Sequence, residues 1–400
     1  MPVLTLLVTL SVAAAAPASV TWEALPRLAA ETWREGPGAA AVERALGAAA
    51  ASRRPQRGPA AIWAEVQRGV PAQDQLIVAV DLPLRLGLAE TRAGEARAAA
   101  LRAGARADEA TWSEAVRVAW LDGWAARENS LHLEEYSTEL AEWVAPLEAA
   151  AARGLVARLD VAELRVEQAR VRAEKAASDE AAAAADARLS TLLGASVRVD
   201  PDDEALHALE LPAANPWPAL LARAGQVPEV AAARAQAQVA VATRQQVWSE
   251  ALPTASLGGM TVQGASGTVP LLFAGLSVPL RTDGASRRVE ARAAAAAQTA
   301  ESRWRESRAQ ARISAEALRW DAARSRIEAL ERELIAPLQD RQDQTLAAVQ
   351  AGLAPASRLV LARRDLHEAE HEQILVLVSL LASQARAAAL ADALDASGDR

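Results

Sequence analysis

The chain has no cysteine, almost no aromatic residue other than tryptophan, and no concentrated stretch of positive charge. Without cysteine there are no disulfides, no thiolate nucleophile, no Cys-based zinc site and no acylated lipoprotein N-terminus. One Phe and one Tyr stand beside 11 Trp, aromatics make up 3% of 400 residues, and alanine supplies much of the 51% hydrophobic content. Such a composition builds close-packed helices rather than a bulky core. The formal net charge is −8, with Arg interspersed among Glu and Asp, so no cationic face is available for phosphate backbones and nucleic acid is set aside as a partner. Beyond the N-terminus, no run reaches the ~18 apolar residues of a membrane-spanning helix.

Residues 1–18, MPVLTLLVTLSVAAAAPA, carry an apolar run from Val3 to Ala16 and a small-x-small exit at Ala16-Pro17-Ala18 or Ala14-Ala15-Ala16. That is the pattern of an export signal, although no Lys or Arg precedes the run.

The remainder states one unit twice. A first repeat spans 22–194 and a second 216–393, with a linker over 195–215 and a tail over 394–400 expected to be disordered. Each repeat orders helix, strand, turn, strand, long helix, tip and returning helix. Pro37 and Pro228 are 191 residues apart, Pro59 and Pro253 are 194 apart, Pro83 and Pro279 are 196 apart, and Gly154 and Gly352 are 198 apart. Strands are expected at about 59–67, 75–84, 253–262 and 271–280. Leu76, Val78, Val80, Leu82 and Leu84 alternate with Gln75, Ile77, Ala79 and Asp81; Leu272, Ala274, Leu276, Val278 and Leu280 take the apolar register of the second copy. About ten residues per strand matches tilted strands that cross a bilayer. Four strands cannot close a barrel, so an inserted sheet needs strands from further copies. A soluble sheet packed on helix is the alternative, and Trp63 and Phe273 alone make a thin aromatic girdle.

The long helices, 88–152 and 285–350, are the dominant elements. Sixty-five residues of helix extend roughly 98 Å, more than an ordinary globular domain needs. The chain then turns at Arg153-Gly154-Leu155 and Ala351-Gly352-Leu353 into returning helices over 156–193 and 356–393. Leu159, Ala162, Val166 and Ala169, and in the second copy Leu359, Ala362, Leu366 and Ala369, keep heptad-like spacing, so each unit is expected to form a coiled-coil hairpin. Pro146 and Pro337, in Val-Ala-Pro-Leu and Ile-Ala-Pro-Leu, should kink the helices near the tips. The second copy holds seven more residues between proline and tip, one heptad, which preserves a coiled-coil seam.

Gly154-Leu155-Val156-Ala157 followed by Asp160-Val161, heptads ending in LSTLLG at Gly194, GQVPEVAAARAQAQVAVA leading to LPTASLGG, and LSVPLRTDG leading into an Ala-rich helix together resemble the TolC-like outer-membrane efflux protein family across essentially the whole mature chain. The resemblance implies a mainly α fold with a small β part, long coiled-coil hairpins and four strands per protomer. Three protomers would share one 12-stranded barrel and a helical periplasmic tunnel in the outer membrane of a Gram-negative-type bacterium. It also implies outer-membrane lipid, a periplasmic adaptor and an inner-membrane pump as partners, in a tripartite efflux pump or type I secretion system, with no cofactor and no enzymatic activity. Family gates close with acidic rings and polar links; Asp160 matches such a position, and the second copy places Arg358 there, so a gate would combine Asp160 with Arg158 and Arg358. Arg153, Gly154, Leu155, Gly352 and Leu353 match adaptor-docking turns, and Trp63, Leu76, Val78, Val80, Phe273, Leu276 and Val278 match barrel strands. Val80 to Gly87, VDLPLRLG, is similar to heavy-metal efflux members.

His367-Glu368-Ala369-Glu370-His371 satisfies H-E-x-x-H, a helical zinc-protease signature. No third ligand follows, and both histidines fall off the Leu366/Ala369 seam, where a solvated helix face is expected to hold them. A passive duct is therefore the leading expectation, a non-membrane periplasmic coiled-coil scaffold the alternative, and a metalloprotease a remote one.

Overall fold

The computed structural model describes residues 18–51, 61–68, 74–84, 88–154, 157–200, 214–250, 254–264, 267–277 and 284–398. The expected export signal falls outside these except for Ala18, and most of the linker, 201–213, falls outside as well. In order the elements are β1 (Ala18–Val20), α1 (Leu25–Glu35), α2 (Pro37–Ala51), β2 (Ala61–Arg68), β3 (Asp74–Leu84), α3 (Leu88–Ala152), α4 (Arg158–Leu193), β4 (Val197–Val199), α5 (Trp217–Ala222), α6 (Pro228–Glu250), β5 (Thr254–Gly264), β6 (Gly267–Ser277), α7 (Gly284–Ala329), a π turn (Leu330–Ile335), α8 (Ala336–Gln350) and α9 (Ala356–Gly398).

Two compact units divide the chain. One unit, drawn from Glu35–Asp108, Leu221–Ile313 and Ala393–Arg400, holds the four-stranded antiparallel sheet, in the order β2-β3-β5-β6. The repeats meet in its centre, where β3 pairs with β5 from Leu76↔Gln263 to Leu84↔Ala255. Its outer strands are β2 and β6, so the sheet is open on both sides. Pro270 sits within β6 and can do so because an edge strand tolerates a missing ladder donor. Pro270, Leu272 and Ala274, alternate residues on one face of β6, are exposed, Leu272 to 85%. An apolar side chain that bare at a sheet edge is a surface awaiting cover.

The other unit, from Met1–Arg34, Glu109–Leu220 and Ser314–Asp392, has its main core where α1, α3, α4 and α9 surround a parallel pair of short strands, β1 and β4. Trp120 of α3 is fully buried there and donates from its indole nitrogen to the Val20 carbonyl at 2.8 Å, while its ring lies 5.4 Å from that of Trp22. The partner strand β4 is fixed by Asp186, which accepts from the Val199 amide at 3.1 Å and also pairs with Arg127. Gly123 permits the close approach of this strand to α3, since a Cβ there would lie 2.9 Å from Val199 Cγ2. The segment read as an inter-repeat linker thus contributes a strand to the core.

Two further expectations need correction. The tail expected to be disordered over 394–400 is helical to Gly398, with Leu394 only 1% exposed, because α9 continues past the heptad region. The long helix expected over 285–350 is interrupted by six residues of π turn. In addition, α9 is long and apolar enough to cross a membrane by composition, a property its interspersed Ser, Gln and Arg hide from a search for unbroken runs; half of that apolar window is buried inside the protein.

Trp120→Ala should lower unfolding free energy by about 3–5 kcal/mol through the cavity it leaves. Trp120→Phe, which removes the bond to Val20 together with a smaller part of the ring, should cost less, about 1–2 kcal/mol. Denaturant titration followed by circular dichroism measures both, and equal losses would show that the strand contact, not ring volume, carries the effect.

Candidate functional site

Each hairpin reverses at a left-handed glycine, Gly154 at φ +74° and Gly352 at φ +70°, a conformation that side chains with a Cβ avoid. Around Gly352 the Leu353 amide donates to the Ala348 carbonyl at 2.8 Å and the Gly352 amide to the Val349 carbonyl at 3.0 Å, the paired bonds of a Schellman stop. The first tip repeats the inner bond, Gly154 to Ala151 at 3.0 Å; Leu155 lies outside the described residues. Such stops commonly fold the next apolar residue back onto the helix. Leu353 does not fold back and is 84% exposed, and Gly352 and, at the first tip, Arg153 and Gly154 are exposed as well.

The returning helices begin immediately after. Arg158 and Asp160 occupy the first and third positions of α4, Arg358 the third position of α9. Asp160 is half-buried, and both arginines are exposed. No ion pair joins Asp160 to Arg358 among the described residues, so the single chain does not bring the expected gate charges together. Their settings differ in sign: the partial positive charge of a helix N-terminus favours Asp160 and opposes Arg358, each by about 0.3–1 kcal/mol.

Pro146 lies inside α3 and Pro337 in the first turn of α8, both exposed. In α8 the irregularity is taken up by the preceding π turn, where the Ala336 amide bonds the Glu331 carbonyl, five residues back. Among the expected barrel residues, Trp63, Leu76, Val78, Val80, Phe273 and Leu276 fall in the paired strands β2, β3 and β6, while Val278 lies outside the described residues.

The expected seam of the second copy is buried: Leu359, Ala362, Leu366 and Ala369 face inward, the last two against Ile335 and Leu338. That of the first copy is not. Leu159, Ala162, Val166 and Ala169 are exposed, and Val161, Leu164 and Val171 are buried instead. The error is one of phase. The tip glycines are 198 residues apart, so Leu359, Ala362 and Ala369 correspond to Val161, Leu164 and Val171.

A second seam escaped the hydrophobic pattern because it is polar. Tyr136, the only tyrosine, is fully buried between α3, α4 and α9 among Leu133, Leu140, Leu164, Val171 and Val360. Its hydroxyl donates to buried Glu167 at 3.0 Å, and Arg170 donates to the same carboxylate at 2.6 Å. Buried Arg363 lies 5.3 Å over the Tyr136 ring, and its Nε donates to Glu139 at 2.7 Å while Nη1 reaches Glu370 at 3.2 Å. This ties α9 of the second copy to α3 of the first. Burial, with Glu167 alongside, pushes the Tyr136 phenol well above its ordinary pKa.

The histidines of the H-E-x-x-H segment belong to this seam, not to a solvated face. His367 is 6% exposed, with its ring 5.2 Å from Tyr136 and its Nδ1 buried without a hydrogen-bond partner. His371 Nδ1 lies 2.7 Å from Asn129 Oδ1. Because α9 packs on both sides, a position off the Leu366/Ala369 seam still faces protein. Burial first, then the charges of Arg363, His371, His132 and Arg170, lower the His367 pKa to about 4. Nearby His132 moves the other way, raised by its bond to Glu128. No group of three metal-binding side chains occurs among the described residues, and two arginines beside His367 repel a cation.

With its two repeats, four-stranded sheet and helical hairpins, the chain has the fold of solved outer-membrane channels. The outer membrane protein VceC of Vibrio cholerae matches with TM-score 0.73 at 17% identity over 93% of this chain and 96% of its own. The open-state MtrE outer membrane channel of Neisseria gonorrhoeae matches at 0.68 and 16%, over 94% and 88%, and the CmeC outer membrane channel of Campylobacter jejuni at 0.63 and 12%, over 93% and 85%. No family model matches the sequence, and no curated protein matches it.

The sign of the His367 effect on stability follows from its lowered pKa. Near neutral pH both states are unprotonated; as pH falls from about 6.5 towards 4 the unfolded chain takes up a proton that the folded chain refuses, so stability falls, by up to about 3 kcal/mol. Urea midpoints at pH 7 and pH 4.5 should diverge less in His367→Leu than in the unsubstituted chain. Parallel pH slopes would remove His367 from the balance.

Proposed function

We propose that this chain is the protomer of a passive duct through the outer membrane, the channel of a tripartite efflux pump or type I secretion system. The observation that carries this is the open sheet. Its edge strand β6 carries the exposed apolar row Pro270, Leu272 and Ala274, and four strands cannot close on themselves. Three copies, each joining its β6 to the β2 of the next, supply twelve strands, satisfy every edge and turn the apolar row to lipid. The similarity of fold to VceC and MtrE supports the same arrangement.

In that assembly the tips form the periplasmic mouth. Leu353 and its neighbours Arg153, Gly154, Leu155 and Gly352 meet an adaptor, for which an unused apolar side chain on a rigid turn is a suitable anchor. Asp160, Arg158 and Arg358 ring the lumen and set which ions pass. An inner-membrane pump supplies the energy and the cargo choice, and the chain performs no chemistry.

Fractionation should place the chain in outer membranes as a trimer resistant to sodium dodecyl sulfate; recovery as a soluble monomer would instead identify a periplasmic scaffold. In planar bilayers Asp160→Lys and Arg358→Glu should shift ion selectivity in opposite directions and by unequal amounts, because one residue is half-buried and the other exposed. Unchanged reversal potentials in both would take these residues out of the pore.

A further inference from the structure

The helices that enter and leave the sheet carry a feature the duct reading does not use. Trp248, in the last turn of α6, is 54% exposed only six residues before β5 begins. Arg288, in the second turn of α7, holds its guanidinium carbon 5.3 Å from the centre of that indole, steadied by a bond from its Nε to the Gly284 carbonyl at 3.0 Å. Val289 beside it is exposed too. The sheet's own exposed apolar row lies on β6, whose last residue, Ser277, is eleven residues upstream of Arg288.

An indole left half bare in water loses much of its burial free energy, yet this ring already has a fixed cationic neighbour. The combination suits an interface whose depth changes from apolar to phosphate over a few ångströms. The local charge agrees. The first nine residues of α7 hold Arg287, Arg288 and Arg292 against Glu290, and exposed Arg92 takes the place matching Arg288 at the start of α3, 196 residues earlier. The cationic excess belongs to α7, since the start of α3 sets Arg92 against Glu90 and Glu95.

We propose that Trp248 and Arg288 form a phospholipid seat at the periplasmic rim of the sheet, the indole resting at the level of the glycerol groups and the guanidinium on lipid phosphate. This rests on the reading of the sheet as membrane-inserted. The seat adds, on a helix end, to the thin aromatic girdle that Trp63 and Phe273 give the strands, and it fixes the depth at which the sheet sits.

The absence of cysteine makes the test direct, since a single introduced thiol takes a fluorophore uniquely. The full chain with Val289→Cys, bimane-labelled, and separately with Leu272→Cys, is reconstituted in phosphatidylethanolamine–phosphatidylglycerol nanodiscs holding nitroxide lipids of shallow or deep placement. At 289 the shallow nitroxide should quench at least about twofold more than the deep one, and at 272 the order should reverse. Adding Trp248→Ala and Arg288→Gln should lower shallow quenching at 289 by about twofold while leaving 272 unchanged. Quenching at 272 but none at 289, or quenching at 289 unaffected by the two substitutions, overturns the seat and leaves the inserted sheet standing. No quenching at either position overturns the inserted sheet itself.

Discussion

The phase of a helical hairpin is set where the chain reverses, and here one left-handed residue per hairpin sets it. Gly154 and Gly352 each end a helix by taking a conformation unfavourable for residues with a Cβ, and the amide bonds around them fix how many residues separate the last turn from the first turn of the returning helix. Every later contact inherits that count. Val161 and Leu359 are buried at equal distance from their glycines, and so are Leu164 and Ala362. A helix advances 100° per residue, so a misplacement of two residues turns an interior position nearly to the opposite face.

This explains which parts of the fold were legible. Element order, four strands, two hairpins and their tips follow from spaced prolines and glycines, which act through local backbone geometry and need no knowledge of neighbours. The first-copy seam does not follow from apolar spacing: Leu159 and Val166 set one phase, Gly154 sets another, and burial follows the glycine. In an Ala-rich helix nearly any stripe can be made apolar, so hydrophobic period is a poor ruler there, and the left-handed stop is a better one. The β1–β4 pair was illegible for another reason. Three-residue strands from Ala18 and Val197 have no periodicity, and only their meeting over Trp120 and Gly123 makes them strands.

The polar seam marks the other limit. Sequence patterns identify buried faces by what is apolar, and α9 turns a second face inward that carries Arg363, His367 and Glu370. Such a face costs desolvation that its pairs must offset, and an apolar replacement of similar volume often does as well or better. What an apolar face cannot do is reject a shifted register. Arg363 of α9 finds Glu139 of α3, and His371 finds Asn129 there; sliding α9 by one turn would leave both without these partners, while the Tyr136–Glu167 bond holds α3 to α4. The seam therefore specifies alignment between the two repeats more than it strengthens their packing. A lone tyrosine in a chain otherwise served by tryptophan was the available sign, since its hydroxyl must find an acceptor when buried.

The tips complete the contrast between the repeats. Seen from helix electrostatics alone, an acid belongs in the first turn and a cation does not, and Asp160 obeys this while Arg358 does not. Among the described residues the Arg358 side chain makes no compensating ion pair. A side chain placed against its local field, exposed, and near an apolar residue that declines its own helix is consistent with a surface shaped for something outside the protomer. The sheet gives the same indication at its edge, where Leu272 is bare. Leu272 on the sheet edge and Leu353 at the second tip are thus left bare, whereas the core around β1–β4 and the polar seam are closed. Interior contacts complete and these two surfaces open is what the duct proposed above would require of its protomer.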